Sequence, residues 1–182
     1  MTTSYLFLAP GFEEIEAVTP IDVLRRAEMD VRTVAVTANG ELTVTGAHGV
    51  AYVADMHIDD IDTSNAEWLI LPGGLPGATN LYESARLREV LTAAGAKIAA
   101  ICASPAVVLG PLGLLRGRHA TCYPGFEPKM SGAIAIPERV VASPTLITAQ
   151  GPGVSAEFAL AVVAQAKGRP VAEDIAHAMI IA

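Results

Sequence analysis

The sequence predicts an α/β fold in which helices cover both faces of a largely parallel β-sheet. Short apolar strand-like segments alternate with amphipathic helical segments along the 182 residues, and this alternation is typical of such sandwiches. The length fits one domain spanning residues 1–182, with no internal repeat or linker. A hydrophobic fraction of 52% and a charged fraction of 17% also indicate a compact globular protein.

The strands are expected where short apolar runs occur, two of which end at Pro-Gly sequences. Four runs are expected to form buried strands: Tyr5–Ala9, Val31–Thr37, Trp68–Leu71 and Ile98–Ile101. Shorter strands are expected at His119–Tyr123, Arg139–Ala142 and Leu146–Ala149. Leu42–Thr45 and Val50–Val53 lie on either side of two glycines, which predicts a small β-hairpin.

The helices are expected where apolar residues recur at helical spacing. Leu24 and Ala27 are so spaced from Ile21, and the preceding Thr19-Pro20 is either the start of this helix or a kink within it. Further helices are expected over Ser84–Ala94, after Cys102, over Ser155–Lys167 and from Pro170 onward.

Composition excludes several classes of function. The net charge is −7 and no block of lysines or arginines occurs, so we expect no nucleic-acid partner. No apolar run reaches the roughly 18 residues of a membrane span, and no basic residue precedes the first apolar run, so neither a membrane segment nor a signal peptide is expected. Two cysteines are too few for a disulfide framework, and no spacing suggests a metal site. A cytoplasmic protein without a metal or organic cofactor is the expectation.

Cys102 lies where an apolar run changes from strand-like to helix-like. A sharp turn at such a junction exposes the side chain above the sheet edge, and the N-terminus of the following helix favours thiolate over thiol. Cys102 is therefore either an activated nucleophile or a small apolar residue that fills the end of a buried strand.

Two other segments are expected at the same edge of the sheet, because the carboxyl ends of parallel strands meet there. Three glutamates follow the first strand, and one of them is expected to turn inward and to share a proton with the cysteine. The Gly73-Gly74 loop follows the Trp68–Leu71 strand and matches no phosphate-binding spacing. It is either a plain turn or, through the N–H groups of Gly74 and Ala103, a donor pair for an oxyanion or an oxidised sulfur.

Four segments in order resemble the ThiJ/PfpI superfamily, in the branch of the parkinsonism-associated deglycase. They are Leu8-Ala-Pro-Gly-Phe-Glu-Glu-Ile-Glu-Ala-Val-Thr-Pro-Ile-Asp-Val-Leu-Arg-Arg-Ala27, Leu69-Ile-Leu-Pro-Gly-Gly74, Ala99-Ala-Ile-Cys-Ala103 and Gln150-Gly-Pro-Gly-Val-Ser-Ala-Glu-Phe-Ala159. The resemblance covers essentially the whole chain. It implies a flavodoxin-like three-layer α/β/α sandwich, a homodimer, a reactive Cys102, a pocket glutamate at Glu16 and oxyanion donors at Gly74 and Ala103.

The chain departs from related branches where they carry histidine. Tyr123 stands where many relatives with glyoxalase or deglycase chemistry have histidine, and Ala103 stands where the peptidase-like branch has one. His177 lacks the spacing of the amidotransferase triad, and His119 is interpreted as structural.

Four residues remain as additional candidates near the site. Gly73, Pro152 and His48 are candidate pocket residues, His48 through a position that faces the pocket across the dimer in relatives. Cys122 is either a core residue or an auxiliary thiol.

Three functions follow from these residues. The first is cofactor-free turnover of small reactive carbonyls or their adducts, with Cys102 as nucleophile and Glu16 as the proton-transferring group. The second is a redox sensor or stress-protective chaperone in which Cys102 is oxidised to sulfinate beside protonated Glu16. The third is hydrolysis of an amide or peptide through a cysteine–histidine pair.

Overall fold

A seven-stranded sheet forms the centre of the molecule. The computed structural model describes residues 2–93 and 95–181. The strands of the sheet are β1 (Thr3–Leu8), β2 (Asp30–Ala35), β5 (Met56–His57), β6 (Ala66–Leu71), β7 (Lys97–Ile101), β10 (Val140–Ala142) and β11 (Leu146–Ala149). Their order is β10-β11-β7-β6-β1-β2-β5, and every neighbouring pair is parallel except β10 with β11.

Helices pack on both faces of this sheet. The α-helices are α1 (Glu14–Arg26), α2 (Gly77–Glu83), α3 (Ala85–Thr92), α4 (Ser155–Lys167) and α5 (Arg169–Ala178). Helix α4 packs against α1, α5 and β11, whereas α2 packs against β1 and the turn that follows Cys102. The expected three-layer α/β/α sandwich with a mostly parallel, flavodoxin-like sheet is confirmed.

The core lies between these layers and is filled by large apolar side chains. Trp68, Phe7, Phe12 and Phe158 are all less than 2% exposed. Burial of this kind dominates the free energy of folding, because each fully buried large side chain contributes roughly 1.5–3 kcal/mol. Among the described residues, no helix is both long enough and apolar enough to cross a lipid bilayer.

Two pairs of short strands lie outside the main sheet. β3 (Thr43–Thr45) and β4 (Ala51–Val53) form the expected antiparallel hairpin. β8 (His119–Ala120) pairs in parallel with β9 (Ile134–Ala135). The strand expected over His119–Tyr123 is thus wrong beyond Ala120. The N–H of Thr121 binds the Thr148 hydroxyl and that of Tyr123 binds the Cys102 carbonyl, so this part of the chain turns toward the site.

The helices differ from the expected ones at three places. Pro20 lies inside α1 rather than at its start, because Glu13 caps the helix directly ahead of Glu14. The segment over Ser84–Ala94 begins as α3 with Ser84 as its cap, while Ala94 lies outside the described residues. After Cys102 the chain forms only a π-helical turn, Pro105–Leu109, because proline lacks an N–H donor and Gly110-Pro111 follows.

The strand order places a crevice beside β1. The chain goes from β1 to β2 on one side, whereas β6 lies on the other side of β1. Ligands in such sheets bind at this reversal, outside the carboxyl ends of the strands. The residues after β1, β6 and β7 therefore border one crevice.

Candidate active site

Cys102 occupies a strained turn directly after β7. Its φ is +63°, a value in the left-handed region that non-glycine residues rarely adopt. The turn is held on both sides, because the Cys102 N–H donates to the Ala149 carbonyl at 2.9 Å and the Cys102 carbonyl accepts from the Tyr123 N–H at 2.8 Å. The side chain is mostly buried, with Cys102 8% exposed. The geometry is that of a nucleophile elbow.

Glu16 is a fully buried carboxyl group in the first turn of α1. Its backbone N–H donates to the Glu13 side chain at 2.7 Å, which caps the helix. Its Oε2 accepts a hydrogen bond of 2.8 Å from the Gly73 N–H. Its other oxygen, Oε1, has no hydrogen-bond partner among the described residues. A buried oxygen without a partner costs free energy, so this atom is available for a proton or a ligand.

Gly73 lies between Glu16 and Cys102 and leaves no room for a side chain. A Cβ atom there would lie 2.7 Å from the Cys102 Cβ and 2.8 Å from the Glu16 Oε2. Gly74 has a φ of +87°, and a Cβ atom there would lie 2.5 Å from the Glu13 nitrogen. Glycine is therefore required at both positions for the loop to approach the cysteine.

Burial raises the pKa values of both side chains, and the charge of Glu16 raises that of Cys102 further. Burial raises the pKa of Glu16 from 4.5 to about 7, although the Gly73 N–H and the neighbouring Cys102 lower it. Burial and then the charge of Glu16 raise the pKa of the Cys102 thiol to about 12, while the N–H groups of Gly74 and Ala103 lower it. The two groups together therefore hold one proton between about pH 7 and pH 12.

The start of the segment after Cys102 favours the thiolate only in part, because the Ala103 N–H lowers the pKa of the thiol but the pKa is raised overall. The segment is a single π-helical turn, so it lacks the long dipole of an α-helix, and burial outweighs the two N–H donors. Since the Glu16 charge is one cause of the raised pKa, a thiolate at neutral pH requires that Glu16 hold the proton.

A pocket of about 210 Å³ opens in front of the sulfur. It is lined by Cys102 together with Gly74, Leu75, Ala103, Tyr123 and Phe126. The structure thus brings Cys102, the two expected donors and Tyr123 to one pocket, and Gly73 and Glu16 lie beside Cys102. Sequence reasoning missed Leu75 and Phe126. The signal was present, because each is a large apolar residue in a glycine- and proline-rich loop next to a candidate residue.

His48 does not line this pocket within the described chain. Its side chain is 72% exposed and lies in the β3–β4 turn, where Nδ1 is 2.7 Å from the Glu14 Oε2. Glu13, Glu14 and His48 are close enough to share a metal ion. However, the Glu13 carboxylate already accepts a hydrogen bond from the Glu16 N–H, and the Glu14 carboxylate accepts one from the His48 N–H. Both groups also lie at the N-terminus of α1, where the helix dipole disfavours cations. The cluster ties the hairpin to α1.

Three further candidates lie outside the pocket lining. Pro152 follows Gly151, where a Cβ atom would lie 3.3 Å from the Tyr123 ring. The turn that contains Pro152 therefore packs against Tyr123. Cys122 is buried, with its sulfur 3.4 Å from the Tyr123 carbonyl, and burial and Glu127 raise its pKa to about 11. His119 is exposed in β8 and borders a different surface depression.

Known proteins resemble this chain over most of its length. Residues 3–165 match the model of the DJ-1/PfpI family. DJ-1 homolog B of Arabidopsis thaliana is 38% identical over 177 residues, or 96% of this chain. The Parkinson disease protein 7 homolog of Danio rerio is 39% identical over 183 residues, which cover 97% of this chain and 95% of the zebrafish protein. The chain spans only 40% and 45% of the length of the two Arabidopsis relatives, homologs B and A.

Two other relatives add structural and functional information. The oxidised DJ-1 of Toxoplasma gondii superposes with a TM-score of 0.94 at 36% identity, with both chains fully covered. A Caenorhabditis elegans protein named glutathione-independent glyoxalase DJR-1.2 is 34% identical over 172 residues, which cover 91% of this chain and 89% of that protein.

The buried Glu16 predicts an unusual pH dependence of stability. The fold binds one proton more than the unfolded chain between pH 4.5 and about pH 7, so the free energy of unfolding falls as the pH rises through this window. Relative to the Glu16→Gln variant, the free energy of unfolding of the wild type should fall by about 3 kcal/mol between pH 4.5 and about pH 7. Each pH unit in this window corresponds to about 1.4 kcal/mol. Urea denaturation at several pH values measures this difference.

Glu157→Gln is the matched control for this experiment. Arg139 lowers the pKa of Glu157, so its ionised form stabilises the fold above pH 4.5 and this contribution is lost as the pH falls. Relative to Glu157→Gln, the free energy of unfolding of the wild type should therefore rise with pH, which is the opposite of the trend expected relative to Glu16→Gln. A difference between wild type and Glu16→Gln that does not change with pH contradicts the raised pKa.

Proposed function

Because this chain belongs to the DJ-1/PfpI family, we propose that it converts small reactive carbonyl compounds, free or as adducts, by a cysteine-dependent reaction that needs no cofactor. The observation that carries this proposal is the fully buried Glu16 with a free oxygen beside the strained Cys102. A relative of similar length named as a glutathione-independent glyoxalase supports the choice of substrate. In this reaction the protein thiol would replace glutathione.

The first step is addition of the Cys102 thiolate to the aldehyde carbon of a 2-oxoaldehyde such as methylglyoxal. A carbon–sulfur bond forms, and the carbonyl electrons move to the oxygen. The N–H groups of Gly74 and Ala103, which already lower the pKa of Cys102, would stabilise that oxyanion. The oxyanion then takes the proton that Glu16 holds, which leaves Glu16 as a carboxylate.

The second step is proton transfer between the two substrate carbons. Ionised Glu16 removes the proton from the former aldehyde carbon and returns it to the neighbouring carbon, while the hydroxyl proton passes from the former aldehyde oxygen to the neighbouring carbonyl oxygen. The hemithioacetal thereby becomes a thioester of a 2-hydroxy acid. Water then hydrolyses the thioester and releases the 2-hydroxy acid and the thiol. The substrate carbons exchange oxidation states internally, so no external oxidant or reductant takes part. With a pKa near 7, Glu16 can both accept a proton and donate one near neutral pH.

Turnover of methylglyoxal to lactate tests this mechanism. Cys102→Ser should lower kcat/KM by at least about a hundredfold because the nucleophile is lost, and Glu16→Gln by a similar factor because the proton carrier is lost. Cys122→Ser is the matched control and should retain wild-type turnover. Wild-type rates in either Cys102→Ser or Glu16→Gln would show that the mechanism is wrong.

A second candidate function is redox sensing, and the free Oε1 of Glu16 favours it. Peroxide would oxidise the Cys102 thiolate to sulfinate, with peroxide as the oxidant and water as its product. A protonated Glu16 and the N–H groups of Gly74 and Ala103 would then hold the sulfinate oxygens. This role requires no turnover and would suit a stress-protective protein.

Mild peroxide treatment followed by intact-mass measurement tests this second role. We expect a gain of two oxygen atoms located at Cys102 in the wild type. In the Glu16→Ala variant oxidation should pass to the sulfonate, because the sulfinate loses its proton donor. Oxidation that falls equally on Cys122, or none at Cys102, contradicts the sensing role.

Amide or peptide hydrolysis receives no support from the described residues. Among the residues that line the pocket, none is a histidine, and His119 borders a different depression. A cysteine–histidine pair therefore has no candidate here.

We also infer that the protein is a homodimer through α1 and the β3–β4 hairpin. Four apolar side chains are exposed there, namely Ile15, Val18, Val50 and Val53. Glu14 accepts backbone hydrogen bonds from His48 and Val50, which holds the hairpin beside α1 and joins these side chains into one patch. Exposed patches of this kind mark protein interfaces. Two free cysteines fit a reducing compartment, so we place the dimer in the cytoplasm.

Light scattering after size exclusion tests the dimer. The wild type should have twice the mass of the chain, and Val18→Glu should be monomeric because it buries a charge in the interface. The control, Ile180→Glu, changes a 93% exposed residue outside the patch and should leave the dimer intact. A dimeric Val18→Glu variant would exclude this surface as the interface.

A further inference from the structure

The pocket over Cys102 has a wall made of apolar side chains. Leu75, Tyr123 and Phe126 contribute its large lining side chains, and the two backbone donors contribute no side chain larger than a methyl group. Leu75 is 53% exposed and Tyr123 46% exposed. Partly exposed apolar residues that converge on a reactive group offer area for an apolar substituent of the substrate.

This wall is held in a fixed position relative to the sulfur. The Tyr123 N–H donates to the carbonyl of Cys102 itself at 2.8 Å, and the Phe126 N–H donates to the Tyr123 carbonyl at 3.0 Å. The two rings meet edge to face, with centroids 6.0 Å apart and planes at 90°, an arrangement that favours further edge or face contacts with an aromatic ring. A ring seated here would therefore sit at a defined distance from Cys102.

The charges around the pocket oppose an anionic substrate. Among the described lining residues, none carries a positive charge, and the Glu16 carboxyl group lies close to Cys102. Lys129 is near the wall, but its ammonium group lies over the Phe126 ring, 5.0 Å from the centroid, and does not line the pocket. A carboxylate or phosphate on the substrate would lose water without gaining a counter-charge.

We propose that this site selects 2-oxoaldehydes whose second carbonyl carries an uncharged apolar group, preferably aromatic, and that Phe126 is the specificity-determining residue. The inference rests on the carbonyl chemistry proposed above and adds the substrate class. The volume is sufficient, because an apolar cavity of roughly 150 Å³ accepts benzene and this pocket measures about 210 Å³.

The reaction balances for such a substrate without any further reagent. Phenylglyoxal would add the Cys102 sulfur at its aldehyde carbon. Glu16 would then move a proton from that carbon to the carbon bearing the phenyl ring. Hydrolysis of the thioester consumes one water and yields mandelate and the free thiol. The phenyl ring would rest against Phe126 throughout.

The test compares three substrates in the wild type and two variants. Wild-type kcat/KM should be at least about tenfold higher for phenylglyoxal than for methylglyoxal, as is typical when one apolar group gains a pocket. 4-Carboxyphenylglyoxal, which adds only a negative charge, should be at least about tenfold poorer than phenylglyoxal. Phe126→Ala should remove most of the preference for the ring, and Phe126→Lys should raise the ratio of the carboxylated to the uncharged aromatic substrate.

A control variant and a binding measurement separate this inference from the proposed reaction. Leu42→Ala changes an exposed leucine outside the pocket and should leave all three ratios unchanged. Acetophenone, which lacks the aldehyde, should slow alkylation of Cys102 by iodoacetamide in the wild type but not in Phe126→Ala, whereas benzoate should protect neither.

The outcomes are distinguishable. If Cys102→Ser abolishes methylglyoxal turnover but Phe126→Ala leaves every substrate ratio unchanged, the selectivity is wrong and the proposed reaction stands. If no aldehyde is converted by the wild type, the proposed reaction fails. Protection of Cys102 by acetophenone but not by benzoate would still support the apolar site. Equal protection by acetophenone and benzoate overturns the selectivity in either case.

Discussion

The close packing of Gly73 between Glu16 and Cys102 is the constraint on which the rest of the site depends. The Gly73 N–H donates to one oxygen of Glu16 at 2.8 Å and leaves the other without a partner. The absence of a side chain at Gly73 lets the sulfur approach this carboxyl group. A buried carboxyl group in contact with a thiol cannot ionise freely, so the two share a proton. Nucleophilic attack, proton transfer and stabilisation of a sulfinate all depend on where that shared proton lies.

The donors around the pair indicate which group keeps the shared proton. The sulfur faces the N–H groups of Gly74 and Ala103, and a protonated Glu16 would supply a third donor. The carboxylate of Glu16 has two donors among the described residues, the Gly73 N–H and the Cys102 thiol. Hydrogen bonds to the charged form favour that form, so the thiolate beside a neutral Glu16 has more support than a thiol beside an ionised Glu16. The cysteine is thus activated by a carboxyl group, without an imidazole.

Much of this arrangement could be predicted from the sequence, because it follows from local patterns. Short apolar runs mark β1, β6 and β7, and the carboxyl ends of parallel strands meet at one edge. These two facts are enough to place Glu16, Gly73 and Cys102 together. What could not be predicted depends on contacts between distant segments. The Tyr123 N–H finds its acceptor at Cys102, 21 positions earlier, so the expected strand ends at Ala120 and Phe126 reaches the pocket. The direction of the Cys102 pKa likewise depends on burial, which no local pattern reveals.

Titration of the Cys102 thiolate by ultraviolet absorbance tests the shared proton most directly. Cys102→Ser serves as the blank, and Cys122, with its pKa raised to about 11, does not interfere near neutral pH. The two proton losses, near pH 7 and near pH 12, belong to the coupled pair. We assign the first of them to Cys102, because the sulfur has more hydrogen-bond donors than the carboxylate, and therefore expect thiolate absorbance to rise with a midpoint near pH 7. Thiolate absorbance that appears only toward pH 12 would mean that Cys102 remains a thiol beside an ionised Glu16, and it would contradict the account.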